Sequence, residues 1–249
     1  MPLPRILTIA GSDSSGGAGI QADIKTITVL GGYAMSAITA ITAQNTLGVS
    51  AIEVLSPELV AAQIDACVSD IGVDAIKIGM LGSPGIASIV AERIAALSVP
   101  IVFDPVMIAT SGAALADAAT IAAFERLMQL STLTTPNLAE LDALGGHEGM
   151  TARRIAYLAK GGDGTSERVE DRLVLPGAEP QVMAGTRIHT RHTHGTGCTL
   201  SSAIATYLGK GLPLPEAVDR ARLFVRSALR AAPGFGAGNG PLGHGEARG

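Results

Sequence analysis

The sequence predicts an α/β fold: a central, mainly parallel sheet with helices on both faces. Two observations carry this reading. Short apolar runs alternate with helical patterns along most of the 249 residues, and that alternation feeds crossovers into a parallel sheet. The chain also shows no internal repeat and no dividing linker, so one domain spanning 1–249 is expected.

The elements follow in order. Residues 5–10 are an apolar run closed by Gly11, as in a buried parallel strand. A Ser/Gly loop at 12–19 leads into a helical pattern that sets Ile20, Ile24, Ile27 and Leu30 on one face, stopped by Gly31 and Gly32. Strands are expected at 33–42 and 52–55. Ser56-Pro57-Glu58 opens a helix with a hydroxyl cap, a first-turn proline and an acid near the positive dipole end. Leu59, Val60 and Ile64 would face the core. A strand at 75–80 precedes a second helix start of the same kind at Ser83-Pro84. A strand at 101–103 delivers Asp104-Pro105, a helix covers 116–130, and a strand at 133–135 delivers Pro136-Asn137. Beyond Thr151 the pattern weakens. Strands are expected there at 172–175 and 186–190, helices at 196–208 and 215–231, and an irregular Gly-rich tail from about 233.

Composition narrows the function. Aromatics are 3% against 47% hydrophobic, so the interior must be built from Ala, Val, Ile and Leu. A net charge of -4 argues against a nucleic-acid partner, which needs a basic surface. Cys67 and Cys198 make no disulfide framework, and a reducing, cytoplasmic setting is expected. The first residues lack a signal-peptide layout, and no run approaches the ~18 apolar residues of a membrane span.

Ligands of open parallel sheets collect outside the carboxyl ends of the strands. The loops to inspect are therefore 11–19, 42–45, 104–112, 137–140 and the approach to Thr196. In His194-Gly195-Thr196-Gly197-Cys198-Thr199-Leu200, small residues where a loop opens a helix let N–H groups converge on an anion. Cys198 falls in the first helical turn, where a thiol pKa is expected to drop. A buried core Cys beside an ordinary Gly-rich helix start is the competing reading. The 12–19 loop is not a Walker-type P-loop, because no Gly-Lys-Ser/Thr follows. His189, His192 and His194 could hold a metal, but no acid or Cys completes a set nearby. A strand leading into the anion loop is preferred.

The run Thr193-His194-Gly195-Thr196-Gly197-Cys198-Thr199-Leu200-Ser201 resembles the anion-hole motif of the ribokinase superfamily. Cys in place of the usual Asp is similar to the hydroxymethylpyrimidine and phosphomethylpyrimidine kinases of thiamine biosynthesis. Further matches follow in the family's order: Thr8-Ile9-Ala10-Gly11-Ser12-Asp13, Ser15-Gly16-Gly17-Ala18-Gly19-Ile20-Gln21-Ala22-Asp23, Thr42-Ala43-Gln44-Asn45-Thr46, Lys77-Ile78-Gly79-Met80-Leu81, Asp104-Pro105-Val106-Met107 and Thr135-Pro136-Asn137-Leu138-Ala139-Glu140.

The resemblance implies a ribokinase-like fold and an ATP- and Mg2+-dependent kinase acting on a hydroxymethylpyrimidine and its monophosphate, commonly as a homodimer. It implies that Gly195, Thr196, Gly197 and Cys198 stabilise and orient the transferred group. Gly11, Asp23, Gln44, Met80 and Val106 would bind the pyrimidine, Gln44 through an amide that both donates and accepts. Asp23, at a helix start, could instead serve only the dipole. Asp104, Asn137 and Glu140 would hold Mg2+, with Asn137, Lys160 and Thr196 on the ATP phosphates. Asn137 alone also reads as a helix N-cap. Lys160-Gly161-Gly162-Asp163 resembles the family's Lys-Gly-Gly-His turn, and a surface turn is the plain alternative. The interval from Asn137 to Lys160 is shorter than the family's, so the loss of one helix or strand edge on the nucleotide side is expected. A pyridoxal kinase and a pyrimidine-binding module with impaired phosphotransfer are the alternatives.

Overall fold

A computed structural model describes residues 3–109, 112–162 and 164–247. Nine strands form one sheet: β1 (Arg5–Asp13), β2 (Tyr33–Gln44), β3 (Val49–Val54), β4 (Ala75–Ile78), β5 (Ile101–Phe103), β6 (Leu133–Thr134), β7 (Tyr157–Ala159), β8 (Arg168–Val174) and β9 (Gln181–Thr186). Their order is β3-β2-β1-β4-β5-β6-β7-β8-β9. The six strands from β2 to β7 in that order run parallel, while β3, β8 and β9 add antiparallel edges.

Strand periodicity sorts the side chains between two cores. Leu7, Ile9, Ile76, Ile78 and Phe103 face one side, under α2 (Pro57–Ala66), α3 (Pro84–Ile94) and α4 (Ala118–Leu130). Ile6, Ala75, Val102 and Leu158 face the other, under α1 (Gly19–Val29), α7 (Thr196–Gly209) and α8 (Leu214–Arg230). The α/β architecture expected from the sequence is therefore realised. Ser56 and Ser83 cap α2 and α3 by accepting from Leu59 N and Ile86 N.

Several expectations are corrected. Ile24 and Leu59 are exposed, because each turns to the solvent side of its helix. The strand expected at 186–190 lies earlier, at β9, paired antiparallel to β8. The short interval before Lys160 still carries regular elements. It holds α5 (Leu138–Ala143), α6 (Gly146–Ala152) and β7, the helices about two turns each. The tail has little regular structure, one 3-10 turn at His244–Glu246, yet it buries Leu242, His244 and Ala247.

Because β1, β2, β4, β5, β6 and β7 run parallel, their carboxyl ends share one edge of the sheet. That edge brings Gly11–Asp13, Gln44, Met80, Asp104, Asn137 and Lys160 together.

Candidate active site

A cavity of about 710 Å³ opens along this edge. Gly11, Gln44, Met80, Val106, Asp104, Asn137, Glu140, Lys160 and the run Gly195 to Cys198 all line it.

At one end, Gly11 packs so closely on Met80 that an added Cβ would stand 3.0 Å from its sulfur. Gln44 ends β2, its N–H donating to Ser14 Oγ (2.8 Å) and its carbonyl accepting from the same hydroxyl (2.8 Å). The Asp13 carboxylate gathers the adjoining loop, accepting from the N–H groups of Ser15 (2.8 Å), Gly17 (3.1 Å) and Ala18 (2.8 Å). His194 Nε2 lies 2.8 Å from Asp13 Oδ2. Burial would raise the Asp13 carboxyl, but His194, Ser15 and Ala18 outweigh it and hold it below the ordinary range. With Asp13 ionised, His194 Nε2 carries the proton and donates it. The Gln44 amide, 3.4 Å from the same nitrogen, accepts from Thr42 Oγ1 (3.2 Å) and keeps its NH2 group and a second lone pair for a ligand.

At the other end, α7 begins at Gly195, whose φ of 87° and close approach to the Gly17 carbonyl admit no side chain. No side chain caps this helix; Thr196 N–H turns back to Thr193 O (3.2 Å), and Gly197 and Cys198 of the first turn line the cavity. A Cβ on Gly197 would stand 3.3 Å from Asp104 Oδ2 and 3.4 Å from Lys160 Nζ. Lys160 Nζ donates to Asp104 Oδ1 (2.8 Å) and lies 3.9 Å from Glu140 Oε2. Thr135 Oγ1 also donates to Asp104 (2.8 Å). Burial alone would raise Asp104, but Lys160 and Lys77 hold it below its usual value. Burial and the neighbouring Asp104 lift Glu140 above the glutamate range in spite of Lys160. Burial opposes the Lys160 charge, and Asp104 and Glu140 reverse that, so the ammonium persists. Two carboxylates therefore share one ammonium, an oxygen-rich site still short of positive charge. That donor set suits Mg2+, which takes a few carboxylates and keeps its waters. Among the described residues no group of three or more His, Cys, Asp or Glu could hold a metal, the three histidines included. His189 reaches out to Glu167 instead (3.1 Å).

Two site expectations change, and Asn137 takes on both of its readings. Asp23 does not line the cavity. It is fully buried beneath it, accepting from Lys77 Nζ (2.8 and 2.9 Å), Ser202 Oγ (2.7 Å) and Thr8 Oγ1 (2.5 Å). Asn137 lines the cavity and is also a cap: its Oδ1 accepts from Glu140 N, and Glu140 Oε2 accepts from Asn137 N, both at 2.8 Å. The Cys198 thiol does not fall in pKa. Burial pushes it up to about 11, with Asp23 and Asp104 adding to the rise and Lys77 and the Gly19 N–H opposing it. Desolvation outweighs the dipole of α7.

Lys160 sits where β7 ends, its N–H donating to Pro136 O (2.9 Å), which sets its side chain at the cavity. Asp163 of the Lys-Gly-Gly turn lies outside the described residues. Lys77 and the Asp13–His194 pair were not assigned roles from sequence. The signal for Lys77 was a single charge inside an apolar strand. Burial opposes its protonation, yet Asp23, Cys198 and Asp104 hold its pKa above the ordinary lysine value.

Comparison with known proteins decides the family. The phosphomethylpyrimidine kinase family model matches residues 13–243. The chain belongs to the phosphomethylpyrimidine kinase family. It is 46% identical to the hydroxymethylpyrimidine/phosphomethylpyrimidine kinase of Rhizobium meliloti, covering 96% of each chain. It is also 46% identical to the thiamine biosynthesis bifunctional protein ThiED of Geobacter sulfurreducens, covering 98% of this chain but only 53% of that one, about half its length. An ADP complex of Bacillus subtilis pyridoxal kinase shares the fold at a TM-score of 0.88 and 32% identity, with 98% of each chain covered. The ribokinase-like fold and kinase class implied by the motifs are thereby met. Among the described residues no helix is long and apolar enough to cross a membrane.

Proposed function

We propose that the protein transfers the γ-phosphoryl group of ATP to 4-amino-5-hydroxymethyl-2-methylpyrimidine and to its monophosphate, in thiamine diphosphate biosynthesis. The observation that carries this is one continuous cavity joining an amide-bearing pocket at Gln44 to the amides of Gly195 to Cys198, Lys160 and two carboxylates. Gln44 would read the aminopyrimidine edge, with Gly11, Met80 and Val106 as walls. The N–H groups of Gly195, Gly197 and Cys198 would meet the charge that develops on the transferred oxygens, and Lys160 and the Thr196 hydroxyl would face the phosphates. Asp104 and Glu140 would hold Mg2+, which supplies charge neutralisation on those phosphates when bound. Asn137 would act through Glu140, whose carboxylate it orients. Phosphoryl transfer passes through a loose transition state that needs little activation of the nucleophile. Cys198 accordingly enters as a neutral thiol that orients the acceptor hydroxyl.

A cytoplasmic location and a homodimer belong to the same proposal. Support for the dimer comes from edge strand β3, where Ile52 and Val54, with Ile41 on β2, expose apolar side chains. Light scattering on the purified protein tests it.

The function is tested by phosphorylation assays with the pyrimidine alcohol, its monophosphate and pyridoxal side by side. ATP- and Mg2+-dependent turnover of both pyrimidines is expected. Preference for pyridoxal would establish the second reading, a pyridoxal kinase, which the shared fold favours. Absence of any turnover would leave a binding module.

A further inference from the structure

The Gly-rich tail is tied to three loops of the site. His194 N–H donates to Gly240 O (3.1 Å), and His194 bridges Pro241. Asn239 N–H donates to Thr46 O (3.0 Å), and Gly238 N–H to Thr46 Oγ1 (3.3 Å). A Cβ on Gly17 would stand 3.3 Å from Pro241, so the loop gathered by Asp13 meets the same segment. Each loop carries a group of the acceptor half: the Asp13 loop, Gln44 close before Thr46, and His194. The far end is anchored in the core. His244 is buried with Nε2 2.8 Å from Thr199 Oγ1 on α7, and Gly243 N–H donates to Ala228 O (3.0 Å).

The glycines follow from these contacts. A side chain at Gly238 would overlap the Thr46 carbonyl, one at Gly240 the Phe235 carbonyl and the His192 ring, and one at Gly243 the Ala231 carbonyl. The segment is Gly-rich because it lies close against other backbone.

We propose that residues 236–244 are a strap that positions Gln44 and His194, and so act as a specificity element of the acceptor half of the site. This rests on the reading of that half as the pyrimidine pocket. The strap's hydrogen bonds run to acceptor-side loops and to α7 and α8, so its disturbance should separate acceptor from nucleotide.

The test measures KM for hydroxymethylpyrimidine and for ATP, together with thermal melts, in wild type, Gly238→Ala and Thr46→Val. Gly238→Ala is expected to raise the acceptor KM about 10-fold, the weight of one misplaced hydrogen bond, with the ATP value unmoved. Thr46→Val, which removes only the Oγ1 acceptor, should move the acceptor KM in the same direction by about 2- to 3-fold. A folded Gly238→Ala with an unchanged acceptor KM overturns the strap, as does a parallel rise in both KM values. Should Gly238→Ala fail to fold, an unmoved acceptor KM in Thr46→Val overturns it. Wild-type inertness toward every pyrimidine would instead overturn the functional reading, and the strap with it.

Discussion

Lys77 lies in an otherwise apolar strand, and β4 turns its side chain toward α1 and α7. There its ammonium and the Asp23 carboxylate are both fully buried. Removing one member of such a pair leaves the other charged without a partner, at a cost of about 3–5 kcal/mol. In Lys77→Met, Asp23 would keep only the Thr8 and Ser202 hydroxyls as donors. At about 2–4 °C per kcal/mol for a chain of this size, the melting temperature should fall by roughly 6–20 °C. Asp23→Asn should be destabilised to a similar degree, because it strands the lysine. The double variant Lys77→Met/Asp23→Asn removes both charges at nearly the same volume and leaves an amide oxygen to accept from the Thr8 and Ser202 hydroxyls, so it should return to within about 1–2 kcal/mol of wild type. Urea unfolding followed by circular dichroism gives the three differences, and acceptor KM is measured on the same samples. Single variants within about 1 kcal/mol of wild type would refute the buried-pair reasoning. An Asp23→Asn protein with an unmoved midpoint and a raised acceptor KM would restore Asp23 to the substrate.

Four further outcomes follow from the geometry. With its thiol pushed up to about 11, Cys198 should react slowly with iodoacetamide at pH 7 and faster as pH rises toward that value; fast alkylation levelling off below pH 8 would contradict it. Cys198→Ala should bind the pyrimidine normally yet lose about 10²-fold in kcat, and steady-state kinetics near wild type would remove the thiol from the mechanism. Gln44→Ala should weaken pyrimidine binding about 10-fold by calorimetry, a hydrogen-bond-sized loss, with ADP binding unchanged. His244 is lowered to about 4, chiefly by burial and secondarily by Lys25. Its unfolded form therefore binds the proton first on acidification. That contribution to stability is intact above about pH 6.5 and is lost progressively as pH falls toward 4, on the order of 3 kcal/mol in all. His244→Gln should flatten the fall in melting temperature over that window, and an unchanged slope would count against the buried neutral imidazole.

Features set by local chemistry were legible in the sequence. Ser56 and Ser83 announce their helices because a hydroxyl, a proline and the free N–H groups of a first turn act within four residues. The cavity edge was legible too, since residues just past apolar runs must share one side of a parallel sheet. What stayed hidden depends on partners distant in the chain. Asp23 at a helix start looks the same whether it faces solvent, substrate or Lys77, and only the facing of β4 decides. The Cys198 shift has the opposite sign to the local expectation, because the N-terminal dipole can be read from position but desolvation cannot.

The tail makes the same point more sharply. Its glycines read as irregular chain, a composition that usually signals a segment with little to pack. Here Gly238, Gly240 and Gly243 are instead places where neighbouring backbone occupies the volume a Cβ would need. Glycine composition alone cannot separate freedom from crowding, since both call for the same residue. The two predict opposite responses to alanine: a loose tail would tolerate the substitution or gain slightly from it, whereas a crowded one must move whatever it touches. At Gly238 that neighbour is the carbonyl of Thr46, two residues after Gln44 in the chain. The residue that looks least informative in the sequence is thus coupled to one that looks most informative.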